Sequence, residues 1–455
     1  MSTILVGGLG KGGRGYYALD VSGMNPLGAP TNIPTSETQL ADRVLWDYPD
    51  LSTPAGEVAD LGYTFSKPAI IQTNDPSTPW AVVFGNGYSS YNESAVLFIL
   101  DPATGDLITR IDTEVGSCNG LSSPVAVDVD YDNKVDYVYA GDLKGNLWKF
   151  DLTDSDSSNW DVAYYDVGSP HPMFQAAPGQ PITAKPNVMY HCDKDGYLVL
   201  FGTGKYLGDN DFLDTNPQAV YGIWDYGEDV DDSEYVGQYN GMFLSNTNLP
   251  GTAMLMPQTI SEWIVNGKQY RTMSSNTLDW DTSTMGVDCG DYDNGLPACD
   301  PNGVGTKPDP VKNVGWYVPL PTTGERVVAD VLIRAKNAIV VSYAPGGSLC
   351  GSGGLSWLME INSCSGGSPG SAQFDIDDDG DVDADDMILI DPPGPEPPEW
   401  DPPIGMPFDG QVQVPAFLIN GKMEKKYLSS SKAKIETLSE KAPRLGIIYW
   451  RMFRE

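Results

Sequence analysis

Two short runs of aspartate in this sequence have the residue types and the spacing of cation-binding loops. A hard cation such as Ca²⁺ takes six to eight oxygen ligands, and a tight loop supplies them from its positions 1, 3, 5, 7 and 9. In the first run these positions are Asp128, Asp130, Asp132, the main-chain carbonyl of Lys134, and Asp136. This spacing predicts a calcium site in the first run.

The first run departs from an EF-hand loop at two positions. Asn133 stands at position 6, where an EF-hand has glycine, and asparagine tolerates the left-handed conformation of that turn. Tyr139 stands at position 12 in place of the usual glutamate. A solvated acidic turn between strands is the alternative. Four carboxylates on one turn repel one another, by about 4 kcal/mol for a pair roughly 4 Å apart at an effective dielectric constant near 20, and a bound cation relieves this repulsion.

The second run, residues 375–386, has eight aspartates among its twelve residues. The EF-hand ligand positions 1, 3, 5, 7, 9 and 12 fall on Asp375, Asp377, Asp379, Asp381, Asp383 and Asp386. Gly380 stands at the turn position, as in the loops of dockerins, which this run resembles. The run therefore predicts a second calcium site, followed by a short exiting helix over residues 387–390. Since a proline-rich stretch follows, a disordered acidic linker is the alternative. Dockerins usually carry two such loops and this chain shows one, so cohesin binding does not follow.

The elements that must hold these loops are short strands in repeated hairpins. Five pairs of strands share a pattern in which an apolar strand ending near glycine precedes one ending near aspartate or asparagine. They lie at residues 3–20, 80–101, 136–151, 197–225 and 338–362. A further strand precedes three of them, beginning after Pro68, Pro124 and Pro186. Repeats of four short strands are the signature of a β-propeller, with coincidental hairpins in a β-sandwich as the alternative.

This pattern predicts an all-β chain in three parts. Propeller blades occupy residues 1–373, the acidic loop and a proline-rich linker occupy residues 374–408, and strands that close the propeller occupy residues 409–455. We expect residues 445–453 to pair beside residues 3–8, because propellers often complete one blade from both chain ends.

Composition excludes several functional classes. A formal net charge of −35 and a pI near 4.1 argue against nucleic acid or an anionic membrane as the main partner. Two histidines, His171 and His191, leave little basis for histidine-ligated metal or a Ser-His-Asp site. No apolar run approaches the roughly 18 residues of a membrane span.

The six cysteines and the acidity together favour an exported protein. The most local pairing joins Cys289 to Cys299 and Cys350 to Cys364, and leaves Cys118 and Cys192 over, among fifteen possible connectivities. No signal peptide is visible at the start of the sequence, and residues 4–7 already match a blade strand. We therefore expect the chain to be a fragment that begins inside a blade.

Taken together, these motifs resemble the C-terminal propeller of PilY-type proteins, which are type IV pilus biogenesis factors and tip adhesins. The resemblance rests on GGLGKGGRGYYALDVS, WAVVFGNGY, LFILDPATG, NGLSSPVAVDVD and DYVYAGDLKGNLWKFDL, and on the closing YWRMFRE. It implies a modified seven-bladed, quinoprotein-like propeller, of which about five blades are identifiable here. It also implies one calcium ion in the loop from Asp128 to Asp136, and supports the second loop less firmly.

The resemblance implies a place at the pilus tip or cell surface, reached through the periplasm. The expected roles are pilus biogenesis, control of extension and retraction, adhesion and twitching motility. The expected partners are minor pilins of the tip complex and a host or abiotic surface ligand. Two alternatives stay open: a structural surface module that calcium only stabilises, and a quinone-dependent dehydrogenase. Against the enzyme, the sequence has no adjacent cysteines and no CxxCH haem motif.

Overall fold

The computed structural model describes residues 3–23, 34–225, 236–240, 243–245, 252–280, 311–346, 353–391, 397–420 and 423–442. Within these ranges the chain is built almost entirely from short β-strands, with α1 (Glu37–Ala41) and α2 (Ala55–Asp60) as its α-helices. None of the described helices has the length and apolar character needed to cross a membrane. Contacts group the chain into two compact units that meet in sequence at Pro186 and Asn187.

The first unit contains three main sheets. Their strands, in chain order, are β1 (Ile4–Gly8), β2 (Tyr16–Asp20), β3 (Val44–Tyr48), β4 (Ala69–Gln72), β5 (Trp80–Gly85), β6 (Val96–Leu100), β7 (Leu107–Asp112), β8 (Val125–Val127), β9 (Tyr137–Gly141), β10 (Asn146–Asp151), β11 (Asp161–Val162), β12 (Tyr165–Asp166), β13 (Ser169–Pro170) and β14 (Phe174–Gln175). The sheet orders are β1-β2-β3, β4-β5-β6-β7 and β8-β9-β10, and β11 and β14 both pair with β10. Strands β12 and β13 form a separate ribbon.

The sheets of the first unit stack because their central strands are apolar on both faces. Along β5, Val82 and Phe84 pack in a cluster with Tyr16 of the first sheet, whereas Ala81 and Val83 pack in a cluster with β9 and β10 of the third. Successive side chains of a strand point to opposite faces, so one continuous apolar strand serves two interfaces. Complete burial of a side chain such as Phe84 contributes about 1.5–3 kcal/mol.

The second unit continues the pattern with longer strands. They are β15 (Asn187–Tyr190), β16 (Tyr197–Gly202), β17 (Ala219–Asp225), β18 (Gly237–Asn240), β19 (Phe243–Ser245), β20 (Thr252–Pro257), β21 (Ile260–Val265), β22 (Lys268–Met273), β23 (Val311–Pro319), β24 (Arg326–Val327), β25 (Leu332–Arg334), β26 (Asn337–Pro345), β27 (Gly354–Asn362), β28 (Ile388–Ile390), β29 (Glu399–Asp401), β30 (Gly405–Asp409), β31 (Ala416–Asn420), β32 (Met423–Ser429) and β33 (Ile435–Lys441). One sheet has the order β15-β16-β17-β23-β20-β19-β18, and another has the order β21-β22-β30-β27-β26-β24, with β25 also paired to β26. Strands β28 and β29 pair, and β31-β32-β33 form a small sheet.

The five predicted hairpins are all present as β1–β2, β5–β6, β9–β10, β16–β17 and β26–β27. The strands expected after the three prolines are β4, β8 and β15. In the described part of the chain these sheets form five blades, and the all-β prediction is confirmed. The closing strand expected at residues 445–453 lies outside the described residues.

Two finer predictions are wrong. Residues 387–390 do not form an exiting helix: a 3₁₀ turn at Ala384–Asp386 leads into the strand β28, which pairs with β29. Cys364 is bonded to Cys192 and not to Cys350, because the fold brings together residues that are 172 positions apart in sequence. Cys118 is a free, exposed thiol, and the pair expected between Cys289 and Cys299 lies outside the described residues.

Candidate metal sites

The first acidic loop connects two paired strands of one sheet. Val127, the last residue of β8, pairs with Tyr137, the first residue of β9, so the loop from Asp128 to Asp136 begins and ends on a fixed frame. Asp136 is held further by its own amide, which donates to Val127 O at 2.9 Å.

Three of the four predicted carboxylates of this loop converge. Asp128, Asp130 and Asp136 each place a carboxylate oxygen within 4.8 Å of the others, which is close enough for all three to hold one ion. Asp132 does not join them: its Oδ2 lies 2.7 Å from Lys134 Nζ. Hydrogen bonding by Lys134, followed by its charge, lowers the pKa of Asp132.

The backbone of the loop is wrapped around Asp128. Tyr131 N donates to Asp128 Oδ1 at 2.7 Å, and Asn133 N donates to Asp128 Oδ2 at 2.8 Å. Tyr131 and Asn133 have φ angles of 64° and 70°, in the left-handed region that asparagine tolerates better than most residues. The left-handed turn predicted at Asn133 is therefore present.

Asp136 is the buried carboxylate of the group, with 7% of its surface exposed. Its Oδ2 accepts from Val129 N at 2.8 Å, and its Oδ1 accepts from Asn74 Nδ2 at 3.3 Å. Burial raises the pKa of Asp136, and the charges of Asp130 and Asp128 add to this effect. A divalent cation offsets that cost, because it restores the favourable interactions that the ionised carboxylate loses on leaving water.

The second acidic loop also brings three carboxylates together. Asp375, Asp377 and Asp386 lie with carboxylate oxygens within 4.8 Å of one another. The other predicted ligands accept main-chain hydrogen bonds within the loop and do not belong to this group: they are Asp379, Asp381 and Asp383. Asp383 caps the 3₁₀ turn by accepting from Asp385 N at 2.9 Å.

Asp375 carries an unsatisfied oxygen inside this second group. The residue is 7% exposed, its Oδ2 accepts from Gly380 N at 3.2 Å, and its Oδ1 is buried without a hydrogen-bond partner. Burial raises the pKa of Asp375. A buried, unpaired carboxylate oxygen costs free energy unless a proton or a cation satisfies it, so this oxygen fits a cation ligand better than a solvated turn.

A cavity of about 650 Å³ adjoins the first loop. Asp132, Asn133 and Val135 of the loop line it, together with residues of strands β4 and β8. Trp80 is also on its wall and is 47% exposed. The loop thus borders a surface that is accessible to other molecules.

Sequence reasoning missed Asn74 entirely. It lies 62 positions before Asp136, in a turn after β4 that belongs to no recognisable motif. Asparagine is common in turns because its side chain often hydrogen-bonds within its own turn. The sequence does not show when such a side chain instead bonds to a different loop.

The stacked, repeated sheets and their loops are those of a β-propeller protein. Residues 1–242, more than half of the chain, match the family described as the PilY1 beta-propeller domain, and the chain belongs to that family. It is 32% identical over 415 residues to the type IV pilus biogenesis factor PilY1 of Pseudomonas aeruginosa strain UCBPP-PA14, covering 84% of this chain and 31% of that protein. It is 33% identical over 388 residues to a PilY1 homolog of Xylella fastidiosa strain Temecula1, covering 80% of this chain and 22% of the homolog. The chain therefore spans less than a third of the length of these relatives.

The fold has a solved counterpart in the same family. The crystal structure of the Pseudomonas aeruginosa PilY1 C-terminal domain superimposes with a TM-score of 0.69 at 27% identity, covering 97% of this chain and 81% of that domain. The resemblance to the PilY family predicted from the motifs is confirmed.

Proposed function

We propose that this chain is the calcium-binding propeller of a type IV pilus biogenesis factor. The observation that carries the proposal is the convergence of Asp128, Asp130 and Asp136 in a propeller of the PilY1 family. The seven-bladed, quinoprotein-like arrangement of that family is part of the proposal.

The chemistry of the first loop favours calcium among the common cations. Its converging groups are three carboxylates, which are hard oxygen ligands and carry more negative charge than a divalent ion neutralises. The main-chain carbonyl of Lys134 and water complete the ligand set in the proposal. Calcium accepts such irregular, flexible coordination, whereas Mg²⁺ demands near-ideal octahedral geometry.

The second loop is proposed as a second calcium site, an EF-hand-like loop built on Asp375, Asp377 and Asp386. Its support is independent of the first loop, because it rests on the unsatisfied Oδ1 of Asp375. Asp379, Asp381 and Asp383, the remaining residues of the predicted ligand set, are proposed to bind only through loop rearrangement or not at all, since they accept hydrogen bonds elsewhere.

The biological role that we propose follows from the relatives, which are named type IV pilus biogenesis factors. The protein is exported and acts at the pilus tip or cell surface, where it contacts minor pilins and a host or abiotic surface. Calcium occupancy of the first loop changes the conformation or stability of the propeller, and so controls pilus extension and retraction, adhesion and twitching motility.

A purely structural role for calcium is the second candidate. It is favoured by the burial of Asp136 and its two hydrogen bonds, which make the loop part of the folded frame. The two roles differ in affinity: a regulatory site binds near ambient calcium, about 10⁻⁴–10⁻³ M outside cells, whereas a structural site binds far more tightly and stays filled.

Calorimetric titration of the calcium-stripped chain tests the proposal. Two binding events are expected in the native chain, with Asp136→Asn abolishing one and Asp386→Asn abolishing the other. A native chain that takes up no calcium contradicts both sites.

For the biological role, the native chain and its Asp136→Asn variant replace the C-terminal propeller of Pseudomonas aeruginosa PilY1. The native chain should restore surface pili and twitching, and the Asp136→Asn variant should alter them. Equal piliation and twitching with both proteins would contradict a regulatory role for calcium.

A further inference from the structure

One asparagine outside the acidic loop connects that loop to the neighbouring sheet. Asn74 lies in the turn that follows β4, and its amide nitrogen lies within hydrogen-bond distance of three oxygens. These are Val135 O at 3.2 Å, Asp136 Oδ1 at 3.3 Å and Leu152 O at 3.1 Å. All three are acceptors, so the orientation of the amide group is fixed, and its two N–H donors are shared among them.

Neighbouring residues of the same turn reinforce the connection. Gln72 O accepts from Val135 N at 2.9 Å, and Asp75 Oδ2 accepts from Ser157 N at 3.1 Å. The turn from Gln72 to Asp75 therefore contacts the end of the acidic loop and the segment that follows β10. Strand β4 belongs to one sheet and β8 to the next, so these bonds lie across the seam between two sheets of the first unit.

We propose that Asn74 is a positioning residue for the cation at the first loop, and that through it calcium binding and the docking of these two sheets stabilise each other. This inference rests on the calcium site proposed above. Val129 N and Asn74 Nδ2 hold the two oxygens of Asp136, one each. Partners that orient a ligating carboxylate typically change metal affinity 10- to 100-fold when they are removed.

The coupling is reciprocal by thermodynamic necessity. If the contact between the two sheets orients Asp136 for the cation, cation binding in turn stabilises that contact. Strands β4 and β8 and the loop also line the cavity of about 650 Å³, so calcium occupancy is transmitted to the walls of an accessible cavity and not only to the loop itself.

The test compares Asn74→Ala with Asp75→Asn in the full chain. Asp75 holds the same turn, accepting from Ser77 N at 2.7 Å and from Ser157 N, and among the described residues its carboxylate makes no hydrogen bond to the acidic loop. In calcium titrations Asn74→Ala is expected to raise the Kd of the first site about tenfold, while Asp75→Asn changes it less than about threefold. Both variants should leave the second site unchanged, which provides an internal control in each titration.

A second readout measures the seam directly. Hydrogen exchange at Val135 N, which donates to Gln72 O, is expected to slow when calcium is added to the native chain and to slow much less in Asn74→Ala. Should Asn74→Ala fail to fold, Asn74→Ser keeps one donor, and a Kd raised more than about twofold but less than about tenfold above the native value is the supporting result.

The outcomes separate the two proposals. If Asp136→Asn removes no calcium-binding event that the native chain shows, the proposed calcium site itself is contradicted. If the native chain binds and Asn74→Ala, or Asn74→Ser in its place, binds as tightly within twofold, only the role of Asn74 is overturned. It is also overturned if Asp75→Asn weakens the first site as much as Asn74→Ala does, because affinity would then follow the stability of the turn.

Discussion

Asp136 and Asp386 close their loops by the same hydrogen bond. Asp136 Oδ2 accepts from Val129 N at 2.8 Å, and Asp386 Oδ1 accepts from Ile376 N at 2.6 Å. In both cases the donor is the second residue of the loop, although Asp136 is the ninth residue of its loop and Asp386 is the twelfth.

The first halves of the two loops also correspond. The fourth residues, Tyr131 and Asp378, have φ angles of 64° and 63°, and the sixth residues, Asn133 and Gly380, have φ angles of 70° and 90°. The first loop is therefore a shortened form of the second, in which the closing carboxylate comes three residues earlier. This explains why Tyr139 at position 12 does not disrupt the first loop.

Charge removal within the first loop should depend on where each carboxylate points. Asp130 lies in the converging group, whereas Asp132 pairs with Lys134. We expect Asp130→Asn to weaken calcium binding at this site about tenfold or more, because affinity follows the number of charged ligands. Asp132→Asn should weaken it less than about threefold. Calorimetry on both variants checks this, and equal losses would show that Asp132 turns to the ion when calcium binds.

Replacing the glycine of the second loop should weaken calcium binding through backbone conformation alone. Gly380 has a φ angle of 90°, and no heavy atom lies within 4 Å of the position that a Cβ would occupy. Gly380→Ala is therefore expected to weaken calcium binding at the second site by about 1 kcal/mol, or roughly fivefold, purely from the strained conformation. Gly370→Ala is the matched control, since Gly370 also has a positive φ and open space but lies outside the loop. If the calcium affinity of the second site falls equally in both variants, this expectation is contradicted.

The hairpins and the loop backbones could be predicted from the sequence because local patterns determine them. A continuous apolar run that ends at glycine predicts strands such as β5, and aspartate spacing predicts the turn around Asp128. The direction of each carboxylate was not predictable. Asp132 pairs with Lys134. The spacing of the residues does not show whether its carboxylate faces this lysine or the other carboxylates of the loop.

Long-range pairings were also beyond sequence reasoning. The shortest loops favoured a bond between Cys350 and Cys364, yet Cys364 pairs with Cys192 because the fold brings their sheets together. Asn74 reaches Asp136 for the same reason. Such contacts depend on how blades stack, which a repeat pattern predicts only in outline.

The long-range disulfide should contribute strongly to stability. The bond between Cys192 and Cys364 closes a loop of 172 residues, and cross-links that close long loops constrain the unfolded chain most. We expect the double variant Cys192→Ser/Cys364→Ser to lose about 2 to 5 kcal/mol in the free energy of unfolding under non-reducing conditions. Cys118→Ser is the control, because Cys118 is an exposed, free thiol. Urea unfolding monitored by tryptophan fluorescence measures both, and a native-like midpoint for the double variant would rule out this contribution.

His191 should make the second unit sensitive to mild acid. Its Nδ1 accepts from Lys194 N at 2.8 Å and from Asp193 N at 3.2 Å, and its ring packs against Trp224 and Trp280 at 4.7 and 4.4 Å. Burial lowers the pKa of His191 from 6.5 to about 4, and protonation at Nδ1 would cost both accepted hydrogen bonds. Because the folded state binds the proton more weakly than the unfolded state, the contribution of His191 to stability is fully present above pH 6.5. It is lost progressively as the pH falls from there toward 4.

The matching variant is His191→Phe, which keeps an aromatic ring between Trp224 and Trp280 but does not titrate. Between pH 8 and pH 5 the native chain should lose about 1 to 2 kcal/mol more of its free energy of unfolding than this variant does. Carboxylates elsewhere titrate in both proteins alike, so the difference isolates the histidine. Urea unfolding of both proteins at the two pH values supplies the numbers. Parallel losses in the two proteins would mean that His191 is already accessible to protons in the folded state.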